Sequence, residues 1–272
     1  MSIMNISDKE FDAIINSNKI YGDNFSEQEI KNWFDHEKNA SYELYEEVNT
    51  NEYDIQNEVH VYSKLRDKKF SKCLALGAAD GGDVAPLASI VDEFIVIEPE
   101  ERFWNTSIGD TTTSYISPTM NGDINIPSES VDLAVSIGCL HHIPNVSHVI
   151  MELGRTLKKG GTYILREPIV SMGDWRKPRR GLTAFERGLP HEALLESIKN
   201  AGLKPYLVRY YDCPIIPFIA RKIGLKECYS YYPIVMFDIM LCTLFKWNMR
   251  YHQDKWYHKF APSSVYILAE KI

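Results

Sequence analysis

One short stretch constrains this chain more than any other: Leu74-Ala75-Leu76-Gly77-Ala78-Ala79-Asp80-Gly81-Gly82, an apolar run that ends in small residues. A buried strand closing on glycine and alanine lets the backbone turn sharply and approach a ligand without side-chain collision. The chain beyond Lys69 keeps to the same pattern. Cys73 to Leu76 reads as a first strand, and a helix is expected from about Asp83 to Ile90. Phe94 to Ile97 is a second strand ending in Glu98 and Pro99, and Tyr115 and Ile116 mark a weaker third. Val131 to Ile137 is a fourth strand, and Val146 to Leu157 a helix that Lys158, Lys159, Gly160 and Gly161 would close. Tyr163 to Leu165 is a fifth strand, Glu192 to Asn200 a helix, and Tyr206 to Tyr210 and Val265 to Ala269 two final strands. Such alternation implies a mostly parallel sheet with helices on both faces.

Residues 1–70 read instead as a helical layer, which could also serve as a lid. Ser26 and Glu29 have the spacing of a capping box, and Ile30, Trp33, Phe34, Leu44, Tyr45 and Val48 recur at roughly helical intervals. The cofactor-binding core would occupy 71–212, an aromatic-rich insertion 213–262, and a final core strand 263–272. Within the insertion, Tyr231 to Trp247 is apolar but interrupted by Asp238 and too short for a confident span, which leaves a buried or interfacial helix. Its Tyr and Trp stripe suits a core, a dimer interface in a homodimer, or a cap over substrate.

Charge narrows the partners. The chain carries a net −7, and ten acids lie between Glu27 and Glu58 against only Lys31 and Lys38. A generally basic footprint for nucleic acid is absent. The five cysteines are widely spaced, with no CxxC pair or His/Cys cluster, so neither a disulfide framework nor a metal site is expected. Met1 to Glu10 lacks a basic segment followed by an apolar one, and a cytoplasmic location is expected.

Glu98, at the end of the second strand, is placed to accept hydrogen bonds from ribose hydroxyls. Gly77, Ala79 and Gly82 alone are also compatible with an imperfect dinucleotide fingerprint, so a NAD-dependent oxidoreductase is one reading. The continuation favours another. Asn121-Gly122-Asp123-Ile124-Asn125-Ile126-Pro127, Val131-Asp132-Leu133-Ala134-Val135, Leu140-His141-His142-Ile143-Pro144-Asn145 and Glu152 to Gly161 together resemble the class I, Rossmann-like S-adenosylmethionine-dependent methyltransferases of the small-molecule type. The resemblance spans about Lys72 to Glu167. It implies a seven-stranded sheet, mostly parallel with its last strand antiparallel, and S-adenosylmethionine as cofactor. It also implies that Gly77, Ala79 and Gly81 border the methionine end, Glu98 the ribose, and Asp123 and Ile124 the adenine, with Ala78, Asp80 and Pro99 also against the cofactor. Backbone at Gly138 would pass beside the sulfonium. The chain departs from the family at Ala75, where an acid is frequent, and at Ala79, where a glycine is; Asp80 or Asp83 could supply the missing acid.

The loop after the fifth strand carries Arg176, Lys177, Arg179, Arg180 and Arg187 against Asp174 and Glu186. Ligands bind outside the carboxyl ends of strands in such sheets, and arginine forks suit phosphate. Arg176, Arg179, Arg180 and Arg187 are therefore expected to bind a small anionic acceptor, a phosphorylated or nucleotide- or carrier-linked sugar or similar. The loop also bears a weaker likeness to methyltransferases of bacterial surface-polysaccharide biosynthesis. His142, then His141, with Glu167 as a carboxylate alternative, are the candidate bases for O-methylation. A non-catalytic Rossmann-like binding protein remains the third reading.

Overall fold

The computed structural model describes residues 6–48, 53–179 and 181–272. Among the described residues, eight strands form one sheet: β1 Phe70–Leu76, β2 Val91–Ile97, β3 Ser107–Ile108, β4 Thr111–Ile116, β5 Val131–Ile137, β6 Leu157–Pro168, β7 Leu203–Tyr211 and β8 Ser264–Lys271. Their order is β3-β4-β2-β1-β5-β6-β8-β7. Strands β4, β2, β1, β5 and β6 run parallel, β8 runs antiparallel to both β6 and β7, and the two-residue β3 pairs antiparallel with β4. The eighth strand beyond the seven expected is that short edge piece.

Period-two burial divides the sheet between two cores. Leu74, Leu76, Ile95, Ile97, Tyr163, Leu165 and Ile267 face one side. There they meet helices α4 Val146–Thr156 and α5 His191–Asn200. Cys73, Ala75, Phe94, Val96, Leu133, Val135, Ile164 and Leu268 face the other side. Both faces being covered explains why the central strands read as continuous apolar runs. Strand β1 lies between β2 and β5, so successive connections leave it in opposite directions and open a crevice at its carboxyl end.

Two local expectations are corrected. Gly82–Ile90 is a 3-10 helix, not an α-helix, with Pro86 inside it; proline has no N–H for an α-helical bond and crowds the preceding turn. Lys158 to Gly161 do not close α4 but already belong to β6. Its pairing with β5 jumps from Val131↔Leu157 to Leu133↔Thr162, so they form a bulge in the strand.

Helices α1 Asp8–Ile15 and α2 Glu27–Val48 precede the sheet. Ser26 and Glu29 form the capping box, with the Glu29 carboxylate accepting from the Ser26 N–H at 2.8 Å. These helices pack over the carboxyl edge of the sheet: Phe11 and Trp33 join Trp175 in a separate aromatic cluster, and the Trp33 indole donates to the His142 carbonyl at 2.7 Å. Helix α3 Asp54–His60 then leads into β1. Residues between β7 and β8 form helices α6 Ile215–Lys222 and α7 Tyr232–Phe245, which share a small core of their own. Among the described residues, no helix is long and apolar enough to cross a membrane.

Candidate active site

A cavity of about 520 Å³ opens at the carboxyl ends of β1, β2 and β5 and extends beneath α2. Gly77 turns the chain out of β1 with φ +60°, and a Cβ there would fall 2.2 Å from the Cys139 sulfur, so only glycine fits. Ala79 holds φ +47°, a left-handed conformation unusual for a residue with a side chain. Its N–H donates to Glu98 at 3.1 Å, and the Glu100 N–H donates to the other Glu98 oxygen at the same distance. Burial pushes the Glu98 carboxyl up, while these two N–H bonds oppose the rise. Gly77, Ala79, Glu98, Pro99, Asp123, Ile124 and Gly138 all line the cavity. Ala78, Asp80 and Gly81 do not; Gly82 and Asp83 take that stretch of wall, and Asp80 instead accepts from the Gly82 N–H at 3.1 Å.

At the adenine end expected from the sequence, Asp123 is exposed and bonded to His148 Nε2 at 2.7 Å. Ile124 is buried, its N–H donating to Glu152 at 2.9 Å. Arg155 braces Glu152 and the Ile124 carbonyl, which fixes this wall. Beside Gly138 stands a residue that sequence reasoning missed. Arg166 projects from the carboxyl end of β6 into the cavity, donating to Asn57 at 3.1 Å, with Asp83 at 3.5 Å and the Tyr53 ring at 4.6 Å. Burial and the neighbouring charge of Asp83 push the Asp54 carboxyl up. An arginine inside the apolar strand Tyr163-Ile164-Leu165-Arg166 was the available signal. The arrangement matches a ligand with a diol and an amino-acid end: Glu98 can accept from the diol, Arg166 can face a carboxylate, and Asp54 and Asp83 an ammonium.

The two adjacent histidines part company. His141 is buried, its Nδ1 2.7 Å from Glu167 and its Nε2 3.5 Å from Glu186. Burial works against its charged form, but the charge and hydrogen bond of Glu167, with Glu186, outweigh it and hold the imidazole up at about 9. Glu167 also accepts from the N–H groups of Cys139, Leu140 and His141, so it fastens the turn after β5 and has no exposed surface. Neither His141 nor Glu167 lines the cavity. His142 does, with Nδ1 held at 2.8 Å by Glu37 of α2. Glu37 in turn accepts from the Thr183 hydroxyl at 2.7 Å and the Phe185 N–H at 3.2 Å. Glu37 sits 105 positions before His142 and carries no motif, so only the fold could find it.

His141, His142 and Glu186 bring three donor atoms within 4.8 Å of one another, close enough to hold a divalent cation. His141 already supplies a cation there, and the imidazoles help hold the Glu186 carboxyl down to about 2 against its burial.

The arginines expected to grip an anion are engaged by other groups of the protein. Arg176 is engaged by Asp174 at 2.8 Å and Asp8 at 2.6 Å. Arg179 donates to the carbonyls of Met172, Thr183 and Ala184, folding the loop on itself. Arg187 is fully buried, donating to the carbonyls of Tyr21, His141, Ile143 and Pro144. None of the three lines the cavity, and Arg180 lies outside the described residues. Arg176, Arg179 and Arg187 are thus drawn to backbone carbonyls and acids, some within the loop itself and some, such as Asp8 and Tyr21, brought from far along the chain. Nor does any residue of 213–262 line the cavity, so the insertion is not its cap.

Residues 74–165 match the family model described as a methyltransferase domain. A sterol 4-C-methyltransferase, strm-1 of Caenorhabditis elegans, is 22% identical over 179 residues, covering 63% of this chain and 52% of that protein. The chain thus spans about half the length of the curated relative it matches. Among solved structures, a methyltransferase from Thermotoga maritima described as a possible histamine N-methyltransferase aligns with TM-score 0.52 at 15% identity, covering 89% of this chain and 99% of that one. Geranyl diphosphate C-methyltransferase from Streptomyces coelicolor A3(2), solved with Mg2+, geranyl diphosphate and S-adenosyl-L-homocysteine, aligns with TM-score 0.51 at 14% identity, covering 80% and 77%. The antiparallel β8 between β6 and β7 departs from the 3-2-1-4-5-6 strand order of dinucleotide-binding sheets.

Proposed function

We propose that this chain, whose central domain and fold are those of the class I S-adenosylmethionine-dependent methyltransferases, O-methylates a small hydroxyl acceptor with an apolar body, with His142 removing the proton. Bound S-adenosylmethionine supplies an electrophilic methyl group, so the protein's tasks are alignment, exclusion of water and proton removal. Gly77, Ala79, Glu98, Asp123, Ile124, Gly138 and Arg166 are the residues that would hold it, on the complementarity of their groups and their place along one wall. The acceptor end is lined by Ile30, Trp33, Phe34, Glu37, His142 and Glu186, aromatic and acidic more than basic. That lining supports a neutral hydroxyl over a phosphate.

The observation that carries the reading is the Glu37–His142 pair. A buried carboxylate on Nδ1 fixes the imidazole's orientation and stabilises the imidazolium formed when Nε2 takes a proton from the acceptor. A second reading keeps the anionic acceptor, a phosphorylated or carrier-linked sugar of surface-polysaccharide biosynthesis, and rests on Lys38, a cation on the same wall. The test is release of S-adenosylhomocysteine against a panel containing both hydroxyl-bearing apolar compounds and phosphorylated sugars. On the active acceptor, His142→Ala should lower kcat roughly 10²–10⁴-fold and Glu37→Gln less, with cofactor affinity unchanged. Full kcat in His142→Ala would remove the base; turnover of phosphorylated sugars alone would select the second reading. Cofactor binding with no methylated acceptor in any arm would leave the non-catalytic alternative standing.

A further inference from the structure

Helix α7, Tyr232–Phe245, is apolar on every side. Its inward stripe of Val235, Asp238 and Cys242 is buried with Cys213, Ile216 and Tyr229. Asp238 is satisfied there by the N–H groups of Asp212 and Cys213. The outward stripe repeats every four residues, Tyr232, Met236, Met240 and Leu244, with Phe237 beside it, and all are exposed. A helix at a water-facing surface normally turns charged residues outward. Trp247, just past α7, and Trp256 are each 74% exposed. The Phe260 ring touches both Phe245 and Trp256, which puts Trp256 at the end of α7. Helix α6, packed in the same small core, exposes Phe218 and Ile219, followed by Ile223. Twelve of the seventeen exposed large apolar side chains of the described residues fall within 213–262, so they form a regional property of the insertion and not scattered surface noise.

Charge identifies what covers this surface. The insertion carries seven Lys and Arg against three acids, one of them the buried Asp238, in a chain of net charge −7. Arg221, Lys222 and Lys226 lie at and just beyond the end of α6, and Lys246, Arg250, Lys255 and Lys259 come after α7. We infer that this exposed face of Trp, Phe, Met and Leu, with Lys and Arg at and beyond the ends of its helices, docks on a lipid bilayer bearing anionic headgroups. Apolar side chains would enter the acyl boundary, tryptophans would sit at headgroup level, and the cations would meet lipid phosphates. At about 21 Å, α7 is shorter than the roughly 30 Å hydrocarbon core and can lie in the interface but not cross it. A second copy of the chain is the poorer occupant, because a two-fold contact through this face would bring two copies of the same net-positive segment together. The strongly acidic remainder of the chain is repelled by an anionic surface, which orients the insertion toward it.

Flotation of the full-length protein with vesicles tests this, comparing phosphatidylcholine alone with equal parts of phosphatidylcholine and phosphatidylglycerol. The protein should float with the anionic vesicles, less so at high salt. The combined variant Phe237→Ser, Leu244→Ser, Trp247→Ser should lower the bound fraction roughly ten-fold or more. Arg250→Glu with Lys259→Glu should abolish the preference for anionic lipid. Unchanged circular dichroism and an unchanged thermal shift on adding S-adenosylhomocysteine keep loss of fold out of the interpretation. Failure to float with either vesicle overturns the inference, as does flotation that the serine variant leaves intact. A concentration-dependent dimer that the serine variant dissociates, without vesicle binding, would assign the face to a second copy. None of these outcomes depends on the acceptor or on His142.

Discussion

His141 is enclosed by Glu167 and Glu186, whereas His142 one position later faces the cavity and is held from behind by Glu37. In the 3-10 turn Leu140–His142, successive side chains point in different directions, so one imidazole becomes structural and the other accessible. The structural one leaves a pH signature. Its folded value of about 9 lies above the unfolded 6.5, so its contribution is complete below about 6.5 and is lost as pH rises toward 9. Glu186 acts in the opposite window, its contribution being lost as pH falls below 4.5 toward about 2. The Tm gap between wild type and His141→Gln should therefore be widest near pH 6 and narrow toward pH 9.5, a change on the order of 1–3 kcal/mol. A gap constant across that range would mean that His141 is neutral in the folded protein. The histidine pair was legible in the sequence; which of the two lines the cavity was decided by the fold. Glu37 was not, because a carboxylate inside an acidic helix has no local feature to set it apart.

Helix α4 shows where element-level packing overrules intrinsic propensity. Gly154 lies in its interior, where alanine would ordinarily stabilise by about 1 kcal/mol. A Cβ at this position would stand 2.5 Å from the Ala201 carbonyl oxygen at the end of α5. Gly154→Ala should thus destabilise, by about 1–3 kcal/mol in urea unfolding, because the close α4–α5 approach must open. Stabilisation would show that the two helices separate without cost. The same distinction runs through the other elements. Most strands and long helices were readable within a few residues, since their apolar periodicity is set by burial on the sheet. The 3-10 geometry of Gly82–Ile90 was readable in principle from Pro86. The bulge at Lys158–Gly161 was not, because a glycine pair after a helix carries the same local signal whether it ends that helix or begins a strand.

At the scale of the whole molecule the site is assembled from parts distant in sequence: the glycine turn, Glu98, Arg166, the His142 turn, and α2 laid across them. Cofactor that binds only this assembled form must stabilise it. S-adenosylhomocysteine at about 100 times its Kd should add roughly 2.7 kcal/mol to the unfolding free energy and raise Tm, while NAD should not. An equal shift with NAD would overturn the cofactor assignment. By itself the sequence determined the strand–helix alternation, the glycine turn with its acid one strand later, and the capped helical start of α2. Each of these is written in residues close together in the chain, where burial period and backbone sterics act directly. The tertiary structure decided which histidine reaches the cavity, that Glu37 holds its Nδ1, and that Arg166 faces the same cavity. It also turned Arg176, Arg179 and Arg187 inward onto carbonyls and carboxylates and left the apolar outer face of α7 uncovered. Charge and exposure depend on which partners the fold brings within a few ångströms, and for these arginines the partners lie up to 168 residues away.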